Sequence, residues 1–185
     1  ANVGTASVFF ALHYPQARIL AFEPSPDSFS LLEKNLAGLP GARAFACGLY
    51  NCDKQVPLFQ GQQDSVTNSI GESALNTGAS VQVELRDALS TMFSQQVSQI
   101  DILKVDTEGA ELPILQSLTP LLPAVQVLYL EYHDEDARLE IDRLITPGHV
   151  LYSAKIEAPH RGELCYVRRD RLPADALYSR WRIRA

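Results

Sequence analysis

The chain has 185 residues, of which 46% are apolar and 21% charged, values that fit one soluble globular domain with a sizeable core. Its formal charge of −6 is uneven, because residues 161–185 carry seven arginines and three acids and the remainder is strongly acidic. An acidic body is repelled by a phosphate backbone, so we do not expect a nucleic-acid substrate. The basic end is expected to be a solvated tail that could meet a membrane surface, an acidic glycan or a partner.

No apolar run is long enough to cross a bilayer, so no transmembrane segment is expected, and no basic stretch precedes an apolar one as in a signal peptide. The three cysteines (Cys47, Cys52 and Cys165) form no CxxC pair. Reduced thiols and a cytoplasmic location therefore fit the composition best.

Short apolar runs alternate with helical stretches, which predicts an α/β fold with a mostly parallel sheet. The predicted elements are, in chain order, a helix over 6–14, a strand over 18–22, a helix from Pro26 to the stop at Gly38, strands over 42–49, 56–59 and 81–85, a helix over 88–93, a strand over 100–107, a helix over 110–122, a strand over 125–133, a helix over 136–144, and a closing hairpin of 150–156 with 164–168.

The helix after Glu23 has a clear start, with Ser25 as N-cap and Pro26 at the first helical position. Phe29, Leu32 and Leu36 share one face of it.

Residues 60–78 interrupt the alternation with glutamine, serine, asparagine and glycine. They are expected to form a surface insertion or a lid over the active site. The organisation predicted is one domain over 1–170 and a basic tail over 171–185.

Ligands of open α/β sheets bind beyond the carboxyl ends of the strands, and the chain places polar residues there. The turn Asn2-Val3-Gly4 opens a helix and is suited to cradling a polar cofactor through backbone N–H groups. Glu23 ends a strand about 20 residues later, where a carboxylate can accept ribose hydroxyls, although it could also only cap the next helix. The dinucleotide pattern GxGxxG is absent, which disfavours a nicotinamide enzyme.

Residues 101–111 are the most informative stretch. Side chains alternate along a strand, so Lys104 and Asp106 share a face, and a lysine inside a strand needs a partner such as Asp106 or Glu131. Glu108 and Glu111 are predicted in the first turn of the next helix, where the helix dipole favours acids.

A second group of candidates ends the following strand, where Glu131 and His133 lie on one face. His133 is the best candidate for a general base near neutral pH, although a strand-end histidine is often only structural. A metal-dependent variant stays open, since a divalent ion could use carboxylate and imidazole ligands from Asp106, Glu108, Glu111, Glu131 and His133.

Four of these blocks together resemble the FkbM-type methyltransferases. That family carries a D-x-G-A-N-x-G turn, an A-F-E-P strand end, a D-x-L-K-x-D-x-E-G-x-E block and an E-x-H strand end, which match residues 1–4, 21–24, 101–111 and 131–133. Residues 86–89 resemble its L-D-x-L element, and order and spacing agree over more than two thirds of the chain.

The resemblance implies a Rossmann-like class I methyltransferase sheet, mostly parallel with a C-terminal antiparallel hairpin. The family's first strand, with its Asp and first Gly, would precede Ala1. The resemblance also implies S-adenosylmethionine as cofactor and a hydroxyl acceptor on a sugar, polyketide or similar metabolite.

The implied roles of the site residues follow the cofactor from end to end. They are Asn2 and Gly4 at its methionine end, Glu23 with Pro24 at its ribose, Gly48 and Leu49 at its adenine, and Asp106 at its amino group or methyl region. His133 or Asp106 would be the base, and Lys104 would keep Asp106 ionised. The alternatives are an inactive methyltransferase-like binding module and a nucleotide-dependent oxidoreductase.

Overall fold

Three sheets hold the strands in a computed structural model of the protein, which describes residues 1–59, 69–70 and 80–173. The strands are β1 (Ile19–Phe22), β2 (Ala42–Phe45), β3 (Gly48–Tyr50), β4 (Lys54–Phe59), β5 (Ser69–Ile70), β6 (Ser80–Asp87), β7 (Ile100–Val105), β8 (Val125–Tyr132), β9 (His149–Ala158) and β10 (Arg161–Arg168). The helices are α1 (Thr5–His13), α2 (Pro26–Leu36), α3 (Ala88–Ser94), α4 (Glu111–Ser117) and α5 (Glu135–Ile145).

The pairing of the strands confirms the predicted mixture of parallel crossovers and a closing hairpin. β1 pairs with β2, β3 with β6 and β7 with β8, all in parallel. β10 lies antiparallel between β8 and β9, so the largest sheet has the order β7-β8-β10-β9. The hairpin is longer than predicted, because both of its strands extend towards the turn.

Two predicted elements have different bounds in the structure. The strand predicted over 42–49 is two strands, because β2 pairs with β1 while β3 joins the sheet of β6. The helix predicted over 110–122 already ends at Ser117, and the chain continues through turns to a 3-10 helix at Leu122–Ala124. Pro120 explains this early end, since the residue before a proline, here Thr119, is disfavoured in the helical region.

The main core lies where α4 and α5 pack on the sheet of β8 and β10. Leu115, Leu128, Ile141 and Tyr166 are almost completely buried there. The Tyr166 hydroxyl donates a hydrogen bond to Asp142, so the one polar atom of this large side chain has a partner.

A second cluster joins α2 to β1 and confirms the predicted apolar face of that helix. Leu32 and Leu36 are buried against Ala21, and Phe29 packs at the margin. Ser25 and Pro26 occupy the predicted N-cap and first helical positions, although the Ser25 side chain makes no capping hydrogen bond.

Two strands have a free edge within the described part of the chain. β1 pairs only with β2 and β7 only with β8, and residues of both line one cavity of about 1440 Å³. The carboxyl ends of β1 and β7 open into the same cavity, so this is where the fold places a candidate site.

Parts of two predictions lie outside the described residues. Of the insertion predicted over 60–78, the structure describes only Ser69–Ile70, which pair with β4. Of the basic tail predicted over 171–185, it describes residues 171–173. None of the described helices is long and apolar enough to cross a membrane.

Gly4 is held by two constraints, and both predict the effect of replacing it. Its φ of 93° lies in the left-handed region, and a Cβ there would come within 2.7 Å of Leu32 Cδ1, in a fully buried side chain. We expect Gly4→Ala to lower the free energy of unfolding by about 1–3 kcal/mol, measured by urea denaturation.

Gly148→Ala is the matched control, because nothing lies within 4 Å of a Cβ at Gly148 and its φ is not in the left-handed region. Equal stability of the two variants would contradict the packing role of Gly4.

Candidate functional site

Glu23 is a buried carboxylate at the carboxyl end of β1, and only 8% of the residue is exposed. It accepts hydrogen bonds from the backbone N–H groups of Asn2, at 2.6 Å, and Ser25, at 2.9 Å, and the Ala1 amino group lies 3.2 Å away. Glu23 therefore ties the first turn of the chain to the start of α2. Glu23 also lines the cavity. It therefore both caps the start of α2, through the Ser25 N–H, and lies where a ligand could contact it.

The other residues predicted for the cofactor occupy two different kinds of position. Asn2, Pro24, Gly48 and Leu49 line the cavity. Gly4 is buried against α2 and is absent from the lining that the structure describes, so its geometry explains packing, and its cofactor role stays a prediction.

Lys104 forms an ion pair with Asp106, one of the two partners that the sequence offered. Lys104 Nζ donates a hydrogen bond to Asp106 Oδ2, and both side chains line the cavity. The pair is not interior as expected: 43% of the Lys104 side chain and 33% of the Asp106 side chain are exposed. The reason is that β7 has a free edge beside the cavity.

The charge of Asp106 is fixed by its surroundings. Burial alone would raise the pKa of this carboxyl, but the hydrogen bond and charge of Lys104, with smaller contributions from Glu131 and His133, hold that pKa below its ordinary value. Asp106 is therefore an anion at neutral pH.

The turn between β7 and α4 differs from the prediction at one residue. Glu111 is the first residue of α4, as expected of an acid in a first helical turn, but Glu108 lies before the helix. Glu108 has a left-handed φ of 54° and is followed by Gly109 at 109°. The side chain of Glu108 is therefore placed by this turn and not by the helix.

Glu111 holds that turn in place. Its carboxylate accepts hydrogen bonds from the backbone N–H groups of Thr107, at 2.9 Å, and Gly109, at 3.1 Å, and lies 3.3 Å from His133 Nδ1. Burial acts to raise the pKa of Glu111, but these hydrogen bonds, led by the one to His133, lower it overall.

His133 lies among three carboxylates. Besides the Glu111 contact, its Nε2 is 3.1 Å from Glu108 Oε2 and 3.4 Å from Glu131 Oε1, although neither contact is aligned as a hydrogen bond. The Glu111 hydrogen bond, opposed by burial and helped by the three negative charges, raises the pKa of His133. His133 is therefore favoured as a cation, and it is not among the described residues that line the cavity.

Arg161, at the start of β10, is a site residue that the sequence did not single out. Its Nη2 and Nε donate to Glu131 Oε1 at 2.7 and 2.9 Å, and both residues line the cavity. The contact depends on the antiparallel register that sets Glu163 opposite Glu131, and no local pattern in the sequence reveals that register.

The metal-dependent variant stays a prediction. Among residues 1–59, 69–70 and 80–173, no group of three or more histidine, cysteine or acidic side chains is arranged to hold one ion.

Comparison with known proteins identifies the family of the chain. The model of the Methyltransferase FkbM domain matches residues 1–146. Methyltransferase sdnD of Sordaria araneosa is 34% identical, over 64% of this chain and 58% of its own. Hexuronic acid methyltransferase AglP of Haloferax volcanii is 27% identical, over 88% of this chain and 64% of its own.

The chain thus spans about 58–64% of the length of these two relatives. Among solved structures, a precorrin-6y C5,15-methyltransferase from Geobacter metallireducens superposes with a TM-score of 0.48 and 11% identity, covering 90% of this chain and 75% of that one.

The His133 cluster makes the stability of the fold depend on pH. The pKa of His133 is raised in the folded state. His133 therefore contributes its full stabilisation at a pH below its ordinary pKa of 6.5, and this stabilisation is lost as the pH rises through the raised pKa. The pKa of Glu111 is lowered in the folded state, so Glu111 stabilises the fold at a pH above its ordinary pKa of 4.5. This stabilisation is lost as the pH falls through the lowered pKa.

We therefore expect His133→Gln to cost most stability between about pH 5 and 6.5 and less on either side, measured by urea unfolding across pH. His160→Gln, at an exposed histidine in the hairpin turn, is the control. A His133→Gln effect that is the same at every pH would contradict the ionic cluster.

Proposed function

Because the chain belongs to the FkbM methyltransferase family, we propose that it transfers a methyl group from S-adenosylmethionine to a hydroxyl of a sugar, polyketide or similar metabolite. The observation that carries the proposal is the arrangement of the cavity, where Glu23 ends β1 and the Lys104–Asp106 pair ends β7. The name of the hexuronic acid methyltransferase among the relatives supports a sugar acceptor.

The residues present fit the cofactor at its nucleoside end. Glu23 accepts three hydrogen bonds, two on Oε2 from the Ala1 amino group and the Asn2 N–H and one on Oε1 from the Ser25 N–H. A carboxylate offers about four acceptor positions, so Oε1 keeps capacity for a ribose hydroxyl. Gly48 and Leu49 border the cavity close to Pro24, where they would contact the adenine.

The residues at the other end fit a cation. S-adenosylmethionine supplies an electrophilic methyl carbon on a positively charged sulfur. Asp106, kept ionised by Lys104, would attract the amino group or the sulfonium region, and the Asn2 turn would hold the methionine end. Lys104 acts on Asp106 by holding its charge and orientation.

Holding the two reactants in line accounts for much of the catalysis expected here. Methyl transfer is an in-line displacement, and alignment of the reactants can supply roughly 7–11 kcal/mol of the barrier. An alcohol must also lose its proton, so a base has to face the acceptor in the cavity.

Two alternative functions predict different ligands. An inactive methyltransferase-like module would bind a partner without transferring a methyl group, and a nucleotide-dependent oxidoreductase would bind NAD. The missing GxGxxG pattern counts against the oxidoreductase. Calorimetric titration with S-adenosylmethionine and with NAD, followed by a methyl-transfer assay on glycan and natural-product hydroxyls, separates the three functions.

We expect Glu23→Gln to weaken S-adenosylmethionine binding by about 10- to 100-fold, because hydrogen bonds to a charged group contribute roughly 1.5–3 kcal/mol. Glu33→Gln, which changes an exposed acid on α2, is the matched control and should leave the Kd unchanged. The measurement is calorimetric titration of the 185-residue chain and of a form with the family's first strand added before Ala1.

Wild-type affinity in Glu23→Gln would remove the ribose assignment. If neither wild-type form bound S-adenosylmethionine, the proposal would fail in favour of the binding module.

A further inference from the structure

We propose that Glu108 takes the proton from the acceptor hydroxyl and that His133 is a positioning residue, which holds Glu108 in place and supplies the opposite charge. This inference rests on the proposed function and deepens it by naming the base. The sequence had favoured His133 or Asp106 for this role.

Access to the cavity is the first argument. Glu108 lines the cavity, and 29% of its side chain is exposed. His133 is absent from the described lining, and its Nε2 is buried 3.1 Å from Glu108 Oε2. A base must come within hydrogen-bond reach of the proton that it removes, and Glu108 is the member of this pair that a substrate can reach.

The partners of the other acids give the second argument. Asp106 is bound to Lys104, and Glu131 accepts two hydrogen bonds from Arg161. Glu111 is 5% exposed and holds the turn before α4. Of the acids in this cluster, Glu108 alone accepts no hydrogen bond from the described residues, and its ion contact is to His133.

The backbone gives the third argument. Glu108 is one of three described residues other than glycine with a positive φ, and that conformation costs free energy for a residue with a side chain. The tie from Glu111 to the N–H groups on both sides of Glu108 maintains it. A turn strained in this way in the lining of a cavity is typical of a functional position.

The groups that face Glu108 suit it to exchange a proton. Burial raises the pKa of its carboxyl, the positive charges of His133 and Arg161 lower it, and the negative charges of Glu131 and Asp106 raise it. The result is a pKa above the ordinary value, so Glu108 is a stronger base than the neighbouring Asp106.

The proposed step balances without any further reactant. The Glu108 carboxylate takes the hydroxyl proton as the acceptor oxygen forms a bond to the methyl carbon. The carbon–sulfur bond of the sulfonium donor breaks with its electron pair left on sulfur, giving a methyl ether and a neutral thioether. Glu108 then releases the proton to solvent.

The first test is methyl transfer by variants of a form that binds S-adenosylmethionine. We expect Glu108→Gln to lower kcat by about 10²- to 10⁴-fold at unchanged cofactor Kd, and Glu140→Gln, an exposed acid on α5, to leave kcat unchanged.

The pH profile separates positioning from catalysis. The wild-type rate should rise with pH as Glu108 loses its proton. His133→Gln should retain measurable transfer and move that rise to higher pH, because the cation that lowers the pKa of Glu108 is gone. A merely structural histidine would lower the rate without moving the profile.

A second test needs no cofactor. Titration of the His133 imidazole by NMR should show a lower pKa in Glu108→Gln than in the wild-type chain, and no change in Glu140→Gln. An unchanged His133 pKa in Glu108→Gln would refute the pairing.

Transfer at the wild-type rate in Glu108→Gln would refute this inference alone, as would loss of activity at every pH in His133→Gln with activity retained in Glu108→Gln. Failure of the wild-type protein to bind S-adenosylmethionine would instead refute the proposed function.

Discussion

The candidate site depends on the hydrogen bonds that the buried Glu111 carboxylate makes. Its oxygens receive two backbone N–H groups of the turn after β7 and face His133 at the end of β8. One side chain thus fixes the positions of two adjacent parallel strand ends relative to each other. Without it, the left-handed conformation of Glu108 would lack its restraint, and the imidazole would lose the contact that contributes most to its raised pKa. The cost of burying Glu111 is offset because every contact favours its charged form.

The acids around Glu111 differ in the cations that they contact. Lys104 neutralises Asp106, Arg161 neutralises Glu131, and His133 is shared between Glu108 and Glu111. The unequal sharing matters, since His133 is hydrogen-bonded to Glu111 and only in ion contact with Glu108. Because the contact of Glu108 with His133 is not aligned as a hydrogen bond, the lone pairs of the Glu108 carboxylate stay available to a substrate. The nearby His133 cation limits how far desolvation can raise the pKa of Glu108. Two acids three residues apart therefore differ in chemistry because of their environments.

Local patterns in the sequence predicted the alternation of strands and helices and placed Asp106 on the same strand face as Lys104, because both follow from short-range periodicity. They did not place Glu108, since helix boundaries are uncertain by several residues and only the start of α4 at Glu111 decides whether Glu108 belongs to a helix or to a turn. Nor did they reveal Arg161, whose contact with Glu131 depends on the pairing of strands 30 residues apart. The spacing of Asn2 and Gly4 predicted a turn correctly, but the packing of Gly4 against Leu32 required the fold. The sequence pointed to His133 or Asp106 as the base because it does not show that Glu108 lines the cavity and that His133 is absent from the described lining.

The size of the cavity follows from the edges of two strands and not from the site residues. At about 1440 Å³ it exceeds the roughly 300–1,000 Å³ of most small-molecule sites, and part of its lining is the apolar flank of β1 and β7. Each of these strands has an edge without a strand partner among the described residues, and backbone groups of a sheet are normally paired. Glu23, Asp106 and Glu108 follow the carboxyl ends of β1 and β7, so these polar residues lie beyond the strands and not along the apolar flank. The arrangement of the site is thus set by the turns after β1 and β7, whereas the apolar flank contributes to the size of the cavity.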